Sequence, residues 1–233
     1  MSASIPNPAL DPAVIRARDA EDVAVGDQIV RHRLSSRLIH WSVALAFAVA
    51  LLTGMPIWTP IFGWMAPLFG GLSVCRWLHP WAGSTFFLAS SVMFFRWLSE
   101  MVLLPSEKDW FGSKLFAYMR HEAIDDWETG KYNGGQKIFF FAVSLGALGL
   151  LASGLILWFP LSFPPWLREL GIVIHEITFI LFAVAIILHI YLGTAAEPGT
   201  FRSMTRGTVA RSWARLHHPR WYREITGDQS RHP

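Results

Sequence analysis

Four long apolar runs dominate the chain, at about residues 38–58, 79–104, 137–158 and 172–196. Each is close to the roughly 20 residues that a helix needs to cross a hydrocarbon core about 30 Å thick. Only 16% of the residues are charged and 52% are hydrophobic, which is more apolar than an ordinary soluble domain. The sequence therefore predicts an all-α integral membrane protein with a bundle of four transmembrane helices.

Polar segments flank the four runs. Residues 1–30 combine prolines with charges of both signs and show no periodicity, which predicts an arm that is either mobile or loosely packed. Because this polar arm precedes the first run, we expect that run to remain as a helix and not to be cleaved as a signal peptide. Residues 31–200 then form the membrane domain, and residues 201–233 form a basic tail.

The basic residues predict the orientation. Arg76 is the only one between the first and second runs, and Arg168 is the only one between the third and fourth. The remaining 18 of the 20 lysines and arginines lie in the arm, the connection at 96–137, the tail or the adjoining helix ends. Cytoplasmic segments retain positive charge, so both termini are predicted to be cytoplasmic. The net charge of +3 is then explained by topology and anionic lipid, and not by nucleic acid.

Four histidines lie in or at the mouths of the apolar runs, where ionisable groups are costly and usually functional. His40 starts the first run on the cytoplasmic side, whereas His79 opens the second run at the opposite face. His175 lies near the outer end of the fourth run, and His189 follows about 21 Å deeper on nearly the same helix face. Depth therefore pairs His79 with His175 outside and His40 with His189 inside. The other five histidines are expected at the surface: His32, His121, His217, His218 and His232.

Two imidazoles from facing helices, without carboxylates or thiolates nearby, are typical of six-coordinate haem that transfers electrons. Structural zinc needs four ligands and catalytic zinc usually three. Cys75 is the only cysteine, which excludes a cysteine-ligated iron–sulfur cluster and covalent haem attachment through a C-x-x-C-H motif. A lone histidine in an apolar helix is more often a packing residue, but four at matched depths favour ligands. The sequence thus predicts two noncovalent b haems.

Several further residues have two interpretations each. Gly54, Gly83, Gly149 and Gly154 either make room for a flat haem ring or allow close helix packing. Arg76 either pairs with haem propionates or extends its charge to the membrane interface. A haem-free membrane anchor or a transporter is the alternative from a different functional class, although we find no internal repeat of the kind that transporters use.

Specific motifs resemble a known family. They are His40-Trp41, the segment Arg-Trp-Leu-His-Pro at 76–80, the run Gly-Lys-Tyr-Asn-Gly-Gly-Gln-Lys at 130–137, the His175/His189 pair, and the tail His-His-Pro-Arg-Trp-Tyr-Arg-Glu at 217–224. Over roughly residues 31–226 the chain resembles the cytochrome b, or gamma, subunit of membrane-bound formate dehydrogenase. Histidine pairs also occur in the cytochrome b anchors of hydrogenases and other molybdoenzymes, which remain the alternative within this class. The two longest runs favour formate dehydrogenase.

The resemblance implies a multi-pass subunit of the bacterial inner membrane that works in anaerobic respiration. Its partners would be a periplasmic iron–sulfur beta subunit and an alpha subunit with molybdenum or tungsten that oxidises formate, a reaction this chain would not perform. The resemblance also assigns His79 and His175 to the outer haem, and His40 and His189 to the inner haem. Menaquinone or ubiquinone would be reduced beside the inner haem. The residues implied for the quinone pocket are Asn133, Gly135, Gln136 and His189.

Elementary chemistry is compatible with that pocket, because amide groups can hydrogen-bond quinone carbonyls and glycine lets a ring approach the backbone. The competing interpretation is that Asn133 and the glycines merely turn the chain into the third helix. For the basic tail, the candidate partners are anionic lipid, cardiolipin included, and the cytoplasmic terminus of another subunit.

Overall fold

The computed structural model describes residues 11–120 and 127–228, except for the side chains at 118 and 119. Two compact units can be distinguished. The helical unit comprises Ile39–Leu98 and Phe140–Ile186, and the terminal unit comprises Met1–Leu38, Ser99–Phe139 and Ile187–Pro233. Residues His121 and His232, which were expected at the surface, lie outside the described residues.

Helices make up most of the described chain. In order they are α1 (Pro12–Arg16), α2 (Leu34–Trp58), α3 (Leu72–Trp97), α4 (Ser113–Met119), α5 (Gly134–Trp158), α6 (Pro165–Tyr191), α7 (Thr200–Thr205), α8 (Arg211–His217) and α9 (Pro219–Thr226). Three short strands are also present: β1 (Val23–Val25), β2 (Gln28–Val30) and β3 (Thr208–Ala210). The predicted all-α class therefore describes the long helices, and the small sheet is an addition that the sequence did not reveal.

Three of the long helices, α2, α5 and α6, are each apolar and long enough to cross a membrane. The helix α3 meets that test only together with the 3-10 segment Pro60–Phe69, from which it is bent by 85°. Polar side chains such as Arg76, His79 and Arg96 on α3 lower its hydropathy. The described residues thus contain three candidate spans, or four when α3 is counted together with the 3-10 segment.

The boundaries of α3 differ from the prediction. This helix begins at Leu72 and ends at Trp97, whereas the apolar run suggested 79–104. Arg76 interrupts the apolar pattern before residue 79, and Pro80 lies inside the helix, where proline removes one backbone hydrogen bond. His79 consequently lies about two turns inside α3 and not at its start. Similarly, α6 begins earlier than predicted, with Pro165 at its first position, where proline is favoured.

Aromatic side chains form the centre of the helical unit. Phe47 of α2, Phe86 of α3 and Phe182 of α6 pack with ring centroids 5.0 to 5.5 Å apart. Gly146 of α5 completes the contact, because a Cβ there would lie 2.8 Å from the ring of Phe182. Large apolar side chains such as Leu45 point outward, as expected for helices in lipid.

The terminal unit contains most of the supposedly mobile arm. Strands β1, β2 and β3 form an antiparallel sheet in that order, so the arm pairs with the tail. Ile29 and Val209 are fully buried against Trp213 and Trp221. The expectation of a loose arm is therefore wrong for residues 11–30, and the basic tail is folded as well. Three-residue strands are too short to produce a recognisable periodicity, and β3 is remote in sequence.

Two histidines expected at the surface are buried in this unit. His32 and His218 are only 1% and 2% exposed, while His217 is partly exposed and lies 3.5 Å from Glu197. Their polar sequence context suggested solvent, but aromatic residues around them supply an apolar environment. His218, for example, packs against Trp213 with ring centroids 5.1 Å apart.

Candidate functional site

A cavity of about 530 Å³ lies within the helical unit and is lined by α2, α3, α5 and α6. His79 of α3 and His175 of α6 both line it. Their ring centroids are 6.1 Å apart and their planes meet at 75°. The structure thus brings together the two histidines that were predicted to share the outer level.

Both imidazoles are fixed by hydrogen bonds at the same nitrogen. His79 Nδ1 donates to the carbonyl of Ala50 at 2.9 Å, and His175 Nδ1 lies 2.9 Å from Ser153 Oγ. The Ser153 hydroxyl donates to the carbonyl of Gly149 at 2.6 Å, so it accepts the proton of His175. Each histidine therefore carries its proton on Nδ1 and retains a lone pair on Nε2, the arrangement that a metal ligand needs.

The histidine pair fits axial ligation of a haem iron. With iron–nitrogen bonds of about 2 Å and about 1 Å from each nitrogen to its ring centre, two axial imidazoles have centroids roughly 6 Å apart. The observed separation is 6.1 Å. Among the described residues, no group of three or more histidine, cysteine, aspartate or glutamate side chains is arranged to hold a metal ion. Two histidines alone are therefore a better match for haem, which needs only two ligands from the protein, than for zinc, which needs three or four.

Two of the four singled-out glycines contact the histidines. A Cβ at Gly54 would lie 2.8 Å from His79 Cε1, and one at Gly154 would lie 3.4 Å from His175 Cε1. Gly83 also lines the cavity, and a Cβ there would meet no atom within 4 Å. A Cβ at Gly149 would instead lie 3.6 Å from the side chain of Thr178 on α6, so this glycine serves the packing of α5 against α6.

Arg76 lines the same cavity one turn before His79, and it also lines a smaller neighbouring cavity of about 350 Å³. Its side chain is exposed. This location places its charge at the cavity wall, where a carboxylate would be attracted. Its role toward propionates remains a prediction.

The predicted inner pair is divided between the two units, since His40 belongs to the helical unit and His189 to the terminal unit. The ring of His40 meets that of Trp41 edge-on, with centroids 5.3 Å apart. His189 stacks on Phe139 at 4.7 Å with an interplanar angle of 3°. The pairing of these two histidines remains a prediction.

The residues predicted to bind quinone begin α5. Asn133 and Gln136 cap this helix reciprocally: Asn133 N donates to Gln136 Oε1 at 3.0 Å, and Gln136 N donates to Asn133 Oδ1 at 2.9 Å. The indole of Trp110 packs against Gly134 and Gly135, and a Cβ on Gly135 would lie 2.9 Å from it. These residues therefore shape the helix entry. The amide NH₂ groups of Asn133 and Gln136 make no hydrogen bond to a described residue.

A buried ion pair follows this capping box. Lys137 Nζ lies 2.8 Å from Glu107 and also donates to the carbonyl of Val102 at 2.9 Å. Both charged residues are buried. Lys137 ends the motif at 130–137, but its pairing with Glu107 is not visible in the sequence, because the two residues are 30 positions apart.

The two longest motifs of the resemblance contact each other in the terminal unit. His218 Nδ1 donates to the carbonyl of Gly130 at 2.7 Å and accepts at Nε2 from Arg31, 3.0 Å away. Arg31 donates in turn to the carbonyl of Lys131 at 2.5 Å. Burial, together with the positive charge of Arg31, holds the pKa of His218 well below its usual value. His218 is thus a neutral side chain that joins the tail to the loop before α5.

Lys131 in that loop binds three carboxylates. Its Nζ is 3.1 Å from Glu21, 3.1 Å from Asp22 and 3.2 Å from Glu100. Although burial alone would raise the pKa of Glu21, the hydrogen bond from Ser36 and the charge of Lys131 hold that pKa below its usual value. The N-terminal arm therefore contacts the loop directly.

Comparison with known proteins gives a consistent result. The family model of the prokaryotic cytochrome b561 matches residues 31–207. The chain is 34% identical over 202 residues to the formate dehydrogenase cytochrome b556(fdo) subunit of Escherichia coli K12, covering 85% of this chain and 94% of that protein. It is 34% identical over 204 residues to the nitrate-inducible formate dehydrogenase cytochrome b556(Fdn) subunit of the same strain, covering 84% and 91%.

A third relative, the formate dehydrogenase cytochrome b556 subunit of Haemophilus influenzae, is 29% identical over 207 residues, or 87% of this chain and 86% of that protein. The resemblance inferred from the motifs is thus confirmed at the level of the family. A b-type cytochrome carries haem b, which agrees with the histidine pair in the cavity. The chain belongs to the prokaryotic cytochrome b561 family, and it is a membrane cytochrome b related to these formate dehydrogenase subunits.

Proposed function

We propose that the chain is the dihaem cytochrome b subunit of a formate dehydrogenase complex. It receives electrons from a periplasmic iron–sulfur subunit and passes them through the outer and then the inner haem to quinone, which is reduced on the cytoplasmic side. The observation that carries this proposal is the facing pair of His79 and His175, 6.1 Å apart in one cavity.

His79 and His175 would hold the outer haem through their Nε2 atoms. When bound, the haem would supply one-electron redox chemistry, and ligation by both histidines would favour electron transfer over the binding of small ligands. The protein contributes a largely apolar cavity, the fixed Nδ1 protons and the close approach that Gly54 allows. Arg76 at the cavity wall would pair with a propionate.

His40 and His189 would hold the inner haem. Support comes from their depths in the sequence and from the stacking of His189 on Phe139, which fixes the orientation of that imidazole. Quinone would bind next to His189 and accept hydrogen bonds from the side-chain amide NH₂ groups of Asn133 and Gln136, whose oxygens cap α5. Gly135 is packed against Trp110, and it would contribute to quinone binding through its backbone.

The partners follow from the relatives, which are named as cytochrome subunits of formate dehydrogenases. This chain would join an iron–sulfur beta subunit and an alpha subunit with molybdenum or tungsten in the bacterial inner membrane, with both termini in the cytoplasm. Within the folded tail, exposed Arg206 and Leu216 offer charge and apolar area to anionic lipid, such as cardiolipin.

Matched histidine variants test the proposed path in the purified complex. His189→Ala is expected to remove the inner haem and abolish quinone reduction by formate, while the outer haem is still reduced. His175→Ala is expected to remove the outer haem. Haem content and formate-dependent haem reduction are measured by optical spectroscopy. Loss of the outer haem alone in His189→Ala would show that the pairing is wrong.

A further inference from the structure

Two helices carry a hydroxyl residue followed by glycine next to the cavity histidines. The helix α2 carries Thr53-Gly54 and α5 carries Ser153-Gly154. Both hydroxyl side chains are buried, with exposures of 0% and 2%. Each glycine lies against the cavity histidine of another helix. Each hydroxyl–glycine pair therefore lies beside one of the two cavity histidines.

The serine of the second pair bonds directly to its histidine. Ser153 Oγ is 2.9 Å from His175 Nδ1 and 2.6 Å from the carbonyl oxygen of Gly149. A hydroxyl has one hydrogen to donate, and the carbonyl can only accept, so Ser153 accepts the N–H of His175. Ser153 is thus the side chain that bonds to this nitrogen of His175, and the backbone of Leu150 is a second hydrogen-bond partner of the imidazole.

The threonine of the first pair acts only indirectly. Thr53 Oγ1 lies 2.7 Å from the carbonyl of Val49 and 3.2 Å from that of Ala50. The Ala50 carbonyl is the group that accepts the N–H of His79 at 2.9 Å. Thr53 therefore competes with His79 for one acceptor, whereas Ser153 is itself the acceptor.

We propose that Ser153 is the residue that positions His175 and tunes the reduction potential of the haem that this histidine would ligate. By accepting the Nδ1 proton, Ser153 fixes the tautomer and directs Nε2 to the cavity. The same hydrogen bond increases electron donation from the imidazole to iron and keeps the potential low. This inference rests on the proposed function, because it requires haem at the His79/His175 pair.

The test is a redox titration of the haems in the full complex, followed optically. Ser153→Ala is expected to shift the potential of the outer haem to a more positive value and to leave the inner haem unchanged. Ser153→Thr restores the hydroxyl, as in the corresponding pair on α2, and is expected to return the potential toward the wild-type value.

Ser144 provides a matched control on the same helix. Its hydroxyl donates to the carbonyl of Phe140 at 2.8 Å, which is the same type of bond to the preceding turn that Ser153 makes. Ser144 is not among the described residues that line the cavity. Ser144→Ala is therefore expected to leave both potentials unchanged. In contrast, Thr53→Val removes a competing donor, so a smaller shift of the outer haem to a more negative value is expected.

The outcomes distinguish this inference from the function on which it rests. An unchanged outer-haem potential in Ser153→Ala would overturn the inference while leaving the haem assignment intact. An equal shift in Ser144→Ala would also overturn it, since the effect would then come from the helix. Loss of the outer haem in Ser153→Ala, restored in Ser153→Thr, would support the positioning role. If the wild-type chain holds no haem at all, the proposed function itself is refuted.

Discussion

Gly54→Ala tests the close approach between α2 and His79. The added Cβ would lie 2.8 Å from His79 Cε1 and 3.1 Å from Nδ1, whereas ordinary contacts begin near 3.4 Å. The imidazole must therefore move by about 0.6 Å, and such overpacking costs about 1–3 kcal/mol. Displacement also weakens the hydrogen bond to the Ala50 carbonyl, worth about 0.5–1.5 kcal/mol. Together these costs of about 1.5–4.5 kcal/mol predict a loss of affinity for the haem proposed at His79 and His175 of about 10-fold to about 1,600-fold.

The matched control is Gly154→Ala, because its Cβ would lie at an ordinary 3.4 Å from His175 Cε1. Alanine is also the better helix former by about 1 kcal/mol, so neither substitution weakens its helix intrinsically. The assay compares haem content per chain in the two variants and in the wild-type protein after equal purification. Full occupancy with unchanged spectra in Gly54→Ala would refute the steric argument, and equal losses in both variants would show that the contact with His79 is not special.

Two further predictions concern the terminal unit. Burial depresses the pKa of His218 below the ordinary value of 6.5, so below that pH the unfolded tail takes up a proton that the folded tail does not. The tail should therefore loosen as the pH falls below about 6.5. This pH dependence of tail stability should weaken in His218→Gln. Hydrogen exchange at 208–226 measures this effect, and a tail that tightens on acidification would contradict it. Lys137→Met leaves Glu107 buried without its partner and is expected to destabilise the fold by about 3–5 kcal/mol. Thermal loss of helicity in detergent measures that change in stability. The double variant Lys137→Met/Glu107→Gln should recover most of the lost stability. Equal stability of Lys137→Met and the wild type would exclude the ion pair as a stabilising element.

The long apolar helices and the proximity of His79 and His175 could be predicted because their signals lie within short segments. Apolar runs have a definite length, and helix geometry converts the position of a histidine into a depth. Depth alone matched His79 with His175, which the structure brings into one cavity. The start of α3 was less predictable, because Arg76 and Pro80 concealed two helical turns.

The terminal unit could not be predicted, because its contacts join segments remote in sequence. Strand β2 pairs with β3 about 180 residues later, and no local pattern reveals such a contact. His218 shows the consequence. Its hydrogen-bond partners Arg31 and Gly130 lie 187 and 88 positions away, so the sequence around His218 does not show that it is buried. Similarly, the motif at 130–137 suggested a binding loop, whereas the structure shows that Asn133 and Gln136 cap the start of α5.

The haem stoichiometry of the purified chain tests the central claim most directly. Reduced-minus-oxidised absorption spectra, calibrated by haem extraction and protein determination, give the number of b haems per chain. Our account predicts two, one of which disappears in His175→Ala and the other in His40→Ala. A chain that binds no haem, or that binds a single haem lost in both variants, would contradict the account.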